Sequence, residues 1–146
     1  YCKSLVSIPR FHLAFPVHDL DEARKFYSNT LGCITGRESE NWIDFNLYGH
    51  QIVAHLSPED CKPPRVNPVD NDDIPSRHFG IILEWNDWEI LKEKIKRLDY
   101  PFLVEPKIRF KSKPGEQGTF FINDPSGNAL EFKTFKHDSM VFEKFE

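Results

Sequence analysis

The sequence predicts an α+β fold built from two consecutive βαβββ modules. Three observations predict it. The runs Phe11-His-Leu-Ala-Phe-Pro-Val17 and His78-Phe-Gly-Ile-Ile-Leu83 alternate as half-buried strands do. Each is followed by a stretch with helical periodicity. Each of those is followed by three short strand candidates, so the same order is written twice in one chain.

In the first module, Asp19 is the expected N-cap, and Glu22 completes a capping-box-like pattern. Leu20, Ala23, Phe26, Tyr27 and Leu31 recur at helical spacing, and Gly32 ends the helix. Strands are expected over 33–38, 42–48 and 51–56, with Gly49-His50 as a turn. In the second module, Asn86-Asp87 opens a helix that aligns Trp88, Leu91, Ile95 and Leu98 on one face, and Pro101 stops it. Strands are expected over 102–105, 118–122 and 128–134, with Asp124-Pro-Ser-Gly127 as the turn between the last two.

The reading is therefore one domain over 1–146, with module one at 10–56, a linker at 57–76, module two at 77–135 and a tail at 136–146. The linker is rich in Pro and Asp and has no periodicity, which marks a linker or a loop over a site. A second irregular stretch, Pro106 to Gly118, carries Lys107, Arg109, Lys111 and Lys113. It reads as a solvated basic loop or as a cationic lid over an anionic substrate.

Composition excludes several classes. Hydrophobic residues make up 39% of the 146, too many for a disordered chain. A net charge of −4 without a basic stripe argues against nucleic acid and acidic membranes as partners. No apolar run approaches the roughly 20 residues of a membrane span. No signal-peptide pattern is present, and a cytoplasmic protein is the expectation. Cys2, Cys33 and Cys61 form no CxxC pair, which argues against a zinc knuckle or disulfide scaffold.

Laying the two first strands over each other sets His12-Leu-Ala14 against His78-Phe-Gly80. Period-2 alternation puts each histidine, with a very small residue two positions on, on the face away from the apolar layer. Phe11, Leu13, Phe15 and Val17, and Phe79, Ile81 and Leu83, then face the helices. Glu131 sits in the last strand with Leu130 and Phe132 facing the other way. A carboxylate in such a strand is costly to bury unless paired or coordinated. The plainer alternatives are satisfied sheet histidines, and a Glu131 paired with Lys133 or an Arg, or left in solvent. Two neutral imidazoles and one carboxylate with open positions suit Fe(II), Mn(II), Ni(II) or Zn(II).

The strands with His12 and His78 and the run Asn123-Asp-Pro-Ser-Gly-Asn-Ala-Leu-Glu131 resemble the vicinal oxygen chelate superfamily. That superfamily contains glyoxalase I, type I extradiol dioxygenases, fosfomycin and bleomycin resistance proteins and methylmalonyl-CoA epimerase. Further runs are similar to a group of small proteins described as predicted extradiol dioxygenases. They are Phe11 to Val17, Asp44-Phe-Asn-Leu-Tyr-Gly-His-Gln-Ile-Val-Ala-His-Leu-Ser-Pro58, His78-Phe-Gly-Ile-Ile-Leu-Glu-Trp85 and Pro114-Gly-Glu-Gln117. The resemblance covers about residues 10 to 135.

The resemblance implies that the modules pair into a curved, partly open eight-stranded mixed sheet with helices outside. It implies His12, His78 and Glu131 as metal ligands, Fe(II) favoured, and a homodimer acting on a small molecule with vicinal oxygens. Aligning Gly49 with Gly127 sets Val53 against Glu131, so the fourth, carboxylate position of glyoxalase I is missing. That departure favours a three-ligand dioxygenase or fosfomycin-type enzyme over a glyoxalase-like lyase or isomerase. A metal-free binding module of bleomycin-resistance type is the non-enzymatic alternative. His55, two residues past Val53, is the candidate acid/base, with a distant fourth ligand or a cavity-wall residue as alternatives. Gln51, Trp42, Asp44 and Asn46 line the pocket or are ordinary sheet residues. His50 is expected exposed in its turn, and His18 and His137 on the surface.

Overall fold

A computed structural model describes residues 8–69 and 71–144; Cys2 and the last two residues of the tail lie outside them. The chain divides into two compact units between Asp60 and Cys61. Each unit holds one βαβββ module.

In the first unit, β1 (His12–Val17), β2 (Ile34–Glu38), β3 (Trp42–Leu47) and β4 (His50–Leu56) form a mixed sheet in the order β1-β4-β3-β2. Only the β1–β4 pair is parallel. Tyr48 and Gly49 both take positive φ, 49° and 92°, which makes the tight turn between β3 and β4. Helix α1 (Leu20–Arg24) starts at Asp19, whose carboxylate accepts the Glu22 N–H at 3.0 Å. The expected reciprocal half of the capping box is not made. The Glu22 carboxylate instead meets His18 Nε2 at 2.7 Å on the surface.

The helix then widens into a π-helical turn over Lys25–Thr30. The wider turn lets two consecutive aromatics, Phe26 and Tyr27, both enter the core. Tyr27 packs against Phe15 and Phe45, with ring centres 5.3 and 5.0 Å away. Phe11 is the exception to the expected apolar face: it precedes β1 and is 62% exposed.

The second unit repeats the plan. After a hairpin of β5 (Val66–Val69) and β6 (Asp72–Pro75), it contains β7 (Phe79–Leu83), α2 (Trp85–Arg97), β8 (Val104–Arg109), β9 (Gln117–Asn123) and β10 (Ala129–Phe135). The main sheet runs β7-β10-β9-β8, again with only the first pair parallel. Trp88, Leu91 and Ile95 on α2 pack onto Phe120, Leu130 and Phe132. Trp88 also donates its indole N–H to the Phe132 carbonyl at 2.9 Å. Leu98 does not join them. It is the C-cap residue and half exposed.

Two sequence expectations are corrected by the structure. The 57–76 stretch is not structureless: it contains a 3-10 turn at Pro58–Asp60 and the β5–β6 hairpin. Lys107 and Arg109 lie in β8 rather than in a loop, and Lys107 Nζ contacts the Asp72 carboxylate of β6. Pro106 is tolerated in that strand because the β8–β9 register shifts between Val104 and Lys107, where no ladder donor is needed. The start of the tail packs on its unit, with Lys136 Nζ 4.9 Å from the Trp85 ring centre. No helix among the described residues is long and apolar enough to cross a membrane.

Candidate metal centre

The register of each sheet decides which residues face the chemistry. In the second unit, Gly80 pairs with Glu131 across the parallel β7–β10 ladder. A Cβ on Gly80 would lie 1.6 Å from the Glu131 carbonyl oxygen, so only glycine allows this approach. His78, just before β7, is brought onto the same face. Its Nε2 lies 3.3 Å from Glu131 Oε1. Its Nδ1 lies 2.8 Å from the carbonyl oxygen of Pro75, at the end of β6.

A carbonyl can only accept, so Nδ1 carries a proton; Nε2 faces Glu131 as a second N–H donor when the ring is protonated and as a lone pair when it is neutral. A lone pair facing a carboxylate oxygen is repulsive unless a cation, proton or metal ion, lies between them. Glu131 is mostly buried, with 16% of its side chain exposed. Its second oxygen accepts the Thr119 hydroxyl at 2.5 Å. Phe121, opposite Glu131 on β9, sets its ring edge-on to His78 at 5.0 Å. The cavity beside this pair, about 120 Å³, is also lined by Lys133.

The geometry fits a divalent ion. Two donors each about 2.1 Å from one ion, at an angle near 104°, sit about 3.3 Å apart. Donation of the far imidazole nitrogen to a fixed oxygen is the usual support for a ligating histidine.

In the first unit, the ladder pairs Ala14 with Val53 just as Gly80 pairs with Glu131. The register therefore places Val53 at the position of Glu131, as the glycine alignment predicts, and that position holds no carboxylate. His12 opens β1 opposite Gln51. Its Nδ1 lies 2.8 Å from Gln51 Oε1. Gln51 Nε2 donates to the buried Asp44 carboxylate at 3.4 Å. His55 is exposed on β4, opposite Trp42 and Pro16 and one rung beyond Val53.

His50 is not a loose turn residue. It is half-buried, and its Nδ1 accepts the Phe11 N–H at 2.8 Å, which anchors the backbone beside His12. A cavity of about 370 Å³ opens on this unit, lined by Arg10, Arg37, Asp44, Asn46 and Gln51 among others.

Of the predicted ligands, the structure thus brings together His78 and Glu131. Among the described residues no group of three His, Cys, Asp or Glu side chains that could hold a metal ion is found. Thr119 and the Pro75 carbonyl were not legible as site groups. Thr119 carried only one signal, its place two residues from Phe121 on the same face of a strand.

The repeated βαβββ plan matches one superfamily. A family model described as the Glyoxalase/Bleomycin resistance protein/Dioxygenase superfamily matches residues 11–132, and the chain belongs to it. A glyoxalase/bleomycin resistance protein/dioxygenase from Alicyclobacillus acidocaldarius is 36% identical, with a TM-score of 0.75 over 92% of this chain and 96% of that one. The fosfomycin resistance protein FosX from Listeria monocytogenes shares the fold at 14% identity and a TM-score of 0.68, over 93% and 100% of the two chains. Lactoylglutathione lyase from Agrobacterium tumefaciens shares it at 17% and 0.59, over 90% and 96%. A search of the curated proteins found no match. Members of the superfamily act on small molecules, generally bind divalent metal ions and often dimerise.

Proposed function

We propose that this protein is a metal-dependent enzyme of extradiol dioxygenase type, acting on a small substrate with two adjacent oxygens. His78, Glu131 and His12 are its ligands. The observation that carries the reading is His78 Nε2 lying 3.3 Å from Glu131 Oε1, with Nδ1 held by a main-chain carbonyl. With the ring neutral, a divalent ion between them would satisfy both atoms, and the separation suits one. His12 Nδ1 likewise faces an oxygen, Gln51 Oε1 at 2.8 Å, at the start of the equivalent strand of the other unit. It completes the trio within one chain or from a partner copy in a homodimer.

When bound, the ion, Fe(II) favoured with Mn, Ni or Zn as alternatives, supplies a Lewis acid for vicinal oxygens and, as iron, electrons for dioxygen. The residues of the chain do the rest. Thr119 and the Pro75 carbonyl orient the ligands. His55, on the same face one rung past Val53, takes and returns the substrate's protons. A valine at the fourth position leaves room for a bidentate substrate.

A second reading rests on the 370 Å³ cavity. Arg10 and Arg37 line it against one carboxylate, Asp44, which favours an anionic substrate. That suits a lyase or a thiol-transferring resistance enzyme on the same scaffold. Metal analysis of protein purified without a His tag, followed by anaerobic Fe(II) loading and a catechol panel under air, separates the readings. Oxygen uptake with a yellow ring-fission product supports the dioxygenase. Bound metal without oxygen uptake supports the second reading. No metal, with ligand binding unchanged by His12→Ala, leaves a binding module.

A further inference from the structure

We infer that Asp44 and Gln51 form a one-way hydrogen-bond relay that positions His12 as a donor ligand. The relay rests on the reading of His12 as a metal ligand, but its geometry stands in the first unit alone. Asp44 is 7% exposed, on β3, directly opposite Val53. As a carboxylate it can only accept, so the Gln51 amide must turn its nitrogen toward it, where the 3.4 Å contact lies. That choice turns the amide oxygen toward His12, 2.8 Å from Nδ1. An oxygen there obliges Nδ1 to donate. The proton is therefore fixed on Nδ1, and the lone pair sits on Nε2.

Direction is set at the buried end, by a charge, and read out at the exposed end, by a tautomer. At an exposed strand start the Nδ1–H form needs an acceptor that holds it. Asp44 and Gln51 do for His12 what the Pro75 carbonyl does for His78. They touch neither metal nor substrate in this role, so they are positioning residues.

The register explains why the two devices differ. Gly80 and Ala14 are equivalent, and so are Glu131 and Val53. The strand position opposite Glu131 is Phe121, and the one opposite Val53 is Asp44. The first unit therefore carries its buried carboxylate one strand over, behind the histidine rather than beside it.

The test reads the tautomer of His12 in the metal-free full chain. Uniformly ¹⁵N-labelled protein is studied by long-range ¹H–¹⁵N correlation at a pH where the ring is neutral, with His12→Ala to assign the signals. The wild type is expected to show the Nδ1–H form. Asp44→Asn keeps the shape but lets both amides flip, so a mixture of tautomers is expected. Gln51→Leu removes the acceptor, and the Nδ1–H preference is lost. Zn(II) affinity, measured by chelator competition, should fall about 10–100-fold in both variants. Thermal melts close to wild type exclude unfolding as the cause. A His12 tautomer identical in all three proteins overturns the relay. A tautomer that shifts as described in a wild type with no Zn(II) affinity upholds the relay and overturns the ligand reading instead.

Discussion

Thr119→Val probes the Glu131 carboxylate with the least change of shape. Thr119 is 2% exposed, and its hydroxyl donates to Glu131 Oε2 at 2.5 Å. The replacement keeps the branched side chain and removes that donor alone. A hydrogen bond to a charged, mostly buried acceptor is worth about 1.5–3 kcal/mol. For a chain of 146 residues, about 3 °C of melting temperature per kcal/mol converts this to a drop of about 4–9 °C in the metal-free protein. The same donor holds Glu131 at its 3.3 Å approach to His78, so divalent-metal affinity should fall about 10–100-fold. Urea unfolding of the metal-free protein and chelator competition with Zn(II) measure the two effects separately. Thr119→Ser keeps the hydroxyl and loses the methyl, so it should lose some stability but retain metal. If Val and wild type agree in both assays, the hydroxyl does not organise this carboxylate and the account of the second unit's site is wrong.

Three further outcomes follow from named contacts. Gly80→Ala forces a Cβ to within 1.6 Å of the Glu131 carbonyl oxygen, so β7 must leave β10. A loss of about 3 kcal/mol or more in urea unfolding is expected, with metal binding lost alongside. Mixing inactive His12→Ala with inactive Glu131→Ala, refolded together, should regain about a quarter of wild-type activity if each site is shared across a homodimer, and none if each lies within one chain. Tyr100 is pushed up to about 12 by burial, with the nearby Asp124 carboxylate adding to it. Its raised value favours the neutral phenol in the fold. The stability it contributes is therefore fully present below about pH 10, the unfolded value, and is lost as pH rises toward 12. Phenolate absorbance should show a late-titrating tyrosine that is missing in Tyr100→Phe, and that variant should also remove the loss of stability.

The module plan was legible because it rests on periodicity, which many residues write redundantly. Even the pairing of Val53 with the Glu131 position was readable. Gly49 and Gly127 both adopt positive φ, at 92° and 83°, so aligning the glycines aligned the ladders. The Asp124-Pro-Ser-Gly127 turn was readable for a related reason. The Asp124 carboxylate accepts the Ser126 and Asn128 N–H groups at 2.9 Å, a local contact encoded within five residues. What was hidden depended on partners distant in sequence. The β5–β6 hairpin reads as linker because Pro68 and Pro75 suppress any strand pattern, yet a two-stranded ribbon needs only some of its N–H donors. Lys107 read as a loop cation because nothing local reveals Asp72 beside it. Thr119 and the Pro75 carbonyl are site groups only through where other strands deliver His78 and Glu131.

The duplicated plan clarifies how one scaffold makes unequal halves. Both first strands begin at a histidine whose Nδ1 faces an oxygen acceptor, but the acceptors are of different kinds. In the second unit the acceptor is a main-chain carbonyl, which no side-chain substitution removes while the hairpin holds. In the first it is a side-chain amide whose direction depends on one buried carboxylate. The first histidine is therefore the more easily altered by point substitution. The second unit also has a carboxylate at Glu131, whereas the first places valine at the equivalent position. A weakening of the centre should then begin at His12: single changes at Asp44 or Gln51 loosen it, while the His78–Glu131 pair persists as a two-donor remnant. Variants of the first unit should lose affinity in steps, and variants at Glu131 should lose it at once.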